Sequence, residues 1–126
     1  MIDAQELRRQ YLDLLLKAKC EKKEMIREEA VRAFEWIKEI MAENVKKGVI
    51  WPCSLFKFKK DNELILRYVE RENDRFPLTP NLCDEKTFFT ELKRVVEANV
   101  GFKAFYEPEA IYENHGIGAS FDVFIE

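Results

Sequence analysis

The only histidine, His115, lies in Glu113-Asn114-His115-Gly116-Ile117-Gly118. Glu113 and His115 are two residues apart, so an extended chain would put them on one side. An imidazole there can serve as acid, base or ligand, and a polar glycine-bearing loop is a common place for function. The plainer account of the same loop is a hairpin connection in which Asn and Gly supply left-handed backbone. No H-E-x-x-H motif and no paired cysteines complete a coordination set, so no metal is expected.

The three cysteines, Cys20, Cys53 and Cys83, are widely spaced and odd in number. That is no disulfide framework, and it suits a reducing cytosol. Cys83 precedes a helix start that could lower its pKa, but a catalytic thiolate also needs a base, and the spacing brings none to it. Trp51-Pro52-Cys53-Ser54 lacks the second Cys of a thioredoxin-like motif, Phe56 standing in its place. Ser120, in Gly118-Ala119-Ser120-Phe121-Asp122, is not in a G-x-S-x-G elbow. The glycines form neither a Walker loop nor a dinucleotide fingerprint. No catalytic residue and no cofactor is therefore expected.

Binding chemistry has more to work with. Lys57, Lys59 and Lys60 interleave with Phe58, and Lys17, Lys19, Lys22, Lys23 and Arg27 cluster upstream. Residues 1–60 hold fourteen Lys/Arg against ten Asp/Glu, and residues 61–126 hold seven against fourteen. The basic half could meet nucleic acid, or the two halves could attract each other within or between chains. Against nucleic acid stand a sequence pI near 5.4 and the nearby Glu21, Glu24, Glu28 and Glu29, which read as a solvated helix face. Tyr11, Leu14, Leu15 and Trp36 are anchors of the kind that protein interfaces favour.

These residues must be positioned by an unusual opening. From Met1 to Lys47 there is no Gly and no Pro, and strong helix formers dominate. One apolar stripe uses Leu7, Tyr11, Leu14, Leu15 and Ala18. A second uses Ile26, Ala30, Ala33, Phe34, Ile37, Ile40, Met41 and Val45. The two differ by roughly 100° around the axis and are separated by the polar run Lys19–Glu24. This phase change predicts a break near 19–25 and two helices, 3–18 and 24–47; the competing picture is one continuous helix whose two faces meet two different partners. Gly48 ends the segment.

Beyond it, strands are expected at 54–59 and 64–70 as a hairpin, and a loop at 71–83 because of Pro77 and Pro80. A helix capped by Asp84 and ended by Gly101 follows, then strands at 102–107 and 120–125. The fold class is α+β: an N-terminal long helix or helical hairpin (1–48), then a domain (49–126) with an antiparallel sheet of about four strands and one packed helix. No apolar run reaches the ~20 residues of a membrane span, and the charged N-terminus does not read as a secretory signal, so the expected location is the cytoplasm.

Two segments carry a resemblance: Ala30-x-x-x-Phe34-x-x-Ile37-x-x-Ile40 running to Lys46-Lys47-Gly48, and Leu92-x-x-Val95 leading through Val100-Gly101-Phe102 to Phe121-Asp122-Val123-Phe124-Ile125. Over roughly residues 25–126 the chain resembles small accessory proteins of phages and prophages of Gram-positive bacteria. The resemblance implies a non-enzymatic binder that modifies or blocks host machinery, and it carries over no functional residue. The sequence expectation is thus a homo-oligomer with a protein partner, with nucleic-acid binding through Lys57, Lys59 and Lys60, or a ligand site at Glu113 and His115, as the alternatives.

Overall fold

A computed structural model of the chain describes residues 2–57, 65–72, 74–112 and 116–126. The architecture is α+β. Its first element, α1, is one uninterrupted helix, Ala4–Lys46, 43 residues long. The break expected near 19–25 is absent. Lys19–Glu24 is polar but made of residues that propagate a helix well, and a change of apolar face does not require a change of backbone. Asp3 caps the start, its carboxylate accepting from the Gln5 backbone N–H. The end is a Schellman closure: Val49 N–H donates to the Asn44 carbonyl at 2.8 Å and Gly48 N–H to that of Val45 at 3.0 Å. Gly48 stands at φ 76°, where a side chain would be strained.

The sheet has five strands rather than about four: β1 Cys53–Lys57, β2 Tyr68–Arg71, β3 Asp74–Pro77, β4 Phe102–Tyr112 and β5 Gly116–Ile125. They lie in the order β3-β2-β1-β5-β4, every neighbouring pair antiparallel. The expected 71–83 loop contains β3. Pro77 is tolerated because β3 is an edge strand, where a missing donor need not break a ladder. The strand expected over 64–70 is shorter, with Ile65 bridging instead to Asp84. The strands expected at 102–107 and 120–125 are the paired ends of a much longer β4–β5 hairpin. Pro108 falls where the register shifts between Glu107 and Ala110, again on an edge strand.

Helix α2, Glu85–Glu97, follows its Asp84 cap as expected, the cap accepting from Thr87 N–H. It packs with the second half of α1 on one face of the sheet. The core joins Ala30, Ala33, Phe34 and Ile37 of α1 to Phe88, Phe89, Leu92 and Val96 of α2 and to Cys53, Leu55, Phe121 and Val123 of the sheet. Phe89 stacks on Phe121 with ring centroids 5.1 Å apart, and Phe34 meets Phe102 edge-on at 5.5 Å. Alternate residues (Ser54, Phe105, Asp122) point to the other face, which no helix covers among the described residues.

Candidate functional site

The first half of α1 is where the fold leaves something undone. Every residue from Gln5 to Met25 is exposed, and the first buried residue is Ile26. From Ala4 to Met25 the arm extends ~33 Å at 1.5 Å per residue. Along it stand Leu7, Tyr11, Leu12, Leu14, Leu15, Leu16 and Met25, with Tyr11 65%, Leu14 67% and Leu16 61% exposed. Leu7, Tyr11, Leu14, Leu15 and Met25 share one line of the helix and Leu12 and Leu16 lie to one side of it; scattered surface apolar residues are ordinary, and this alignment makes the arm the candidate surface.

The rest of α1 shows how such a line is covered when a partner exists. Glu29 and Trp36 fall close to the line of Tyr11 and Ala18 around the helix. Both are covered by the chain itself. The Thr79 hydroxyl donates to Glu29 Oε1, Arg32 donates to both Glu29 oxygens at 3.0 Å, and Trp36 lies on Phe76 with centroids 5.5 Å apart. Arg32 also sits 5.3 Å over the Phe76 ring. Of the four interface anchors read from the sequence, Tyr11, Leu14 and Leu15 are therefore open. Trp36 is half-buried and spends one face inside the fold.

Elsewhere the chemistry is sparse. Burial pushes the Cys53 thiol up to about 11, with Asp122 and Glu72 adding to the rise. Burial, helped by Asp84, does the same to Cys83, up to about 11. The helix start beyond Cys83 thus fails to activate it, because desolvation dominates. The Tyr106 hydroxyl donates to Glu85 Oε2 at 2.8 Å, and burial and that carboxylate raise its pKa far above the phenol range. This pair ties α2 to β4 inside the core. Among the described residues no group of three His, Cys, Asp or Glu could hold a metal. Glu113, His115, Lys59 and Lys60 lie outside the described residues. Lys57 ends β1, paired in register with Ala119.

The sequence reading missed one surface feature. Ile50 and Trp51, 91% and 74% exposed, follow α1 closely, and Trp51 borders a groove of about 650 Å³. Asn44, Lys47, Arg71, Glu72 and Asp74 share its walls, so cations and carboxylates are mixed there. The signal was available: Val49-Ile50-Trp51-Pro52 is an apolar run held outside regular structure by Gly48 and Pro52. Among the described residues no helix is long and apolar enough to cross a membrane. Compared with known proteins, the chain matches no family model, no curated protein and no solved structure.

Proposed function

We propose that this chain is a non-enzymatic binding protein that self-associates through the first half of α1 and uses its α+β domain to engage a macromolecular partner. The observation that carries the reading is the arm itself, about six turns of helix whose large apolar residues are all exposed. An isolated helix of this length is only marginally stable in water, so one that carries Tyr11, Leu14 and Leu15 outward gains most by packing on something. The buried, protonated thiols support the non-enzymatic side of the reading. The resemblance to phage accessory proteins makes a component of bacterial host machinery the class of partner we favour, met in the cytoplasm.

Sedimentation equilibrium of the double variant Leu14→Lys, Leu15→Lys tests it. The natural chain should sediment as a multiple of 15.0 kDa, and the variant as a monomer with an unchanged near-UV spectrum. An unchanged mass for the variant removes the arm as the interface.

A further inference from the structure

Resting on that proposal, we infer that the occupant of the arm is the arm of a second copy, running antiparallel, with the two-fold axis between Leu14 and Leu15. A line of positions, apolar except at Lys22, begins Ala4, Leu7, Tyr11, Leu14 and continues Leu15, Ala18, Lys22, Met25, at intervals of three, four, three, one, three, four and three residues. The intervals read the same in both directions. At ~100° per residue all of these positions lie within roughly 50° of one line along the helix. A two-fold, isologous contact requires such a self-complementary surface.

The side-chain sizes fit the antiparallel order and not the parallel one. Two helices keep a separation of about 8–10 Å only if each layer between them holds a similar volume. With the axis between Leu14 and Leu15, Tyr11 faces the partner's Ala18, and Ala4 faces the partner's Met25. These two layers pair large with small about a centre of four leucines, and between them Leu7 faces the partner's Lys22, whose methylene stem covers it while the ammonium reaches solvent. A parallel, in-register pair would set Tyr11 on the partner's Tyr11 and Ala18 on the partner's Ala18. One layer would be too thick and the other empty. It would also set Lys22, which lies on the line, against the partner's Lys22.

Charge points the same way. Residues 2–13 carry Asp3, Glu6 and Asp13 against Arg8 and Arg9; residues 14–25 carry Lys17, Lys19, Lys22 and Lys23 against Glu21 and Glu24. Antiparallel arms place the acidic segment on the basic one, whereas parallel arms place four lysines on four. Lys22, on the line, also comes near the partner's Arg8, and with both charged ends reaching solvent that repulsion is small. The contact also has a natural end. The partner's first turn finishes level with Met25, one turn short of Glu29, where the chain's own Thr79 takes over the same line of the helix. Along this line of α1, the length that the fold leaves uncovered is the length that a second arm would fill.

Spin labels test the direction. In a Cys20→Ser, Gln5→Cys chain the single exposed thiol sits near the arm's start, off the apolar line. Pulsed electron–electron double resonance is recorded alongside sedimentation at the same concentration. Antiparallel arms place the two labels ~28 Å apart along the axis, so a distance of roughly 30–40 Å is expected. A dimer with labels within ~20 Å of each other overturns the antiparallel arrangement and leaves self-association standing. A monomer at all concentrations overturns both.

Discussion

At the scale of single residues, the three cysteines separate cleanly by environment. Cys20 is on the projecting arm and exposed, whereas Cys53 and Cys83 are buried. Burial disfavours the thiolate, and both buried thiols are raised to about 11. At pH 8 only about one in a thousand of either is in the reactive form, before access is considered. The sign follows directly: reactivity at Cys53 and Cys83 should rise with pH up to that value, not fall. A maleimide or dithionitrobenzoate titration of the native chain at pH 7.5 should therefore count one thiol, and three in denaturant. A native count of two or three would mean that the sheet or the 78–83 segment opens more readily than its packing implies. Glu72 belongs to this scale as well. It adopts φ 48° at the tight turn between Arg71 and Asp74, a left-handed conformation that a glutamate reaches only at a cost of about 1 kcal/mol.

At the scale of elements, α1 is two helices in burial and one in backbone. Its second half is held by Ile26, Ala30, Ala33, Phe34 and Ile37, while its first half, Ala4–Met25, contributes no buried residue. The anchored half supplies the nucleus from which the arm propagates, so the arm need not pay for initiation, yet each of its turns remains marginal alone. Helicity should therefore depend on concentration. Diluting the chain below its dissociation constant should reduce the 222 nm ellipticity by up to about two-fifths, while the near-UV signal of the domain stays constant. A signal independent of concentration, together with a constant mass, would mean that the arm is stable without a partner. This split also explains what the sequence could reveal. Both apolar stripes were legible because helical periodicity survives whether or not a face is buried. The phase change between them was real but was read as a break, since periodicity reports faces and not continuity. Asp84 and Gly48 marked their helix ends through local chemistry that needs no tertiary context. Strand β3 was hidden because Pro77 is excluded only from a paired interior, and edge position is a property of the whole sheet. The same holds for the length of β4 and β5, where Pro108 sits at a register shift on an edge. Of the candidate site, Tyr11, Leu14 and Leu15 were visible from type and spacing. Trp36 shares their type but was claimed by Phe76, a contact between distant parts of the chain.

At the scale of the whole molecule, the arm and the domain are joined by a continuous helix but share no core. Among the described residues every buried apolar one lies at or beyond Ile26, and the polar tie at Glu29 joins α1 to Thr79. Folding stability should therefore reside in the layer formed by α2, the sheet and the second half of α1. Oligomeric state should reside in the arm. Deleting residues 2–22 separates the two. The shortened chain keeps all the core side chains and both aromatic contacts of Phe34 and Trp36. It should unfold in urea with a free energy within about 1 kcal/mol of the full chain, measured where the full chain is dissociated, because surface segments without buried partners contribute little. It should also remain monomeric at concentrations where the full chain associates. At high concentration the full chain gains stability from association by mass action and the shortened chain does not, so their unfolding midpoints should diverge as concentration rises. Midpoints that stay parallel would place association in the domain, where the exposed Ile50 and Trp51 beside the groove at the end of α1 would be the next surface to test.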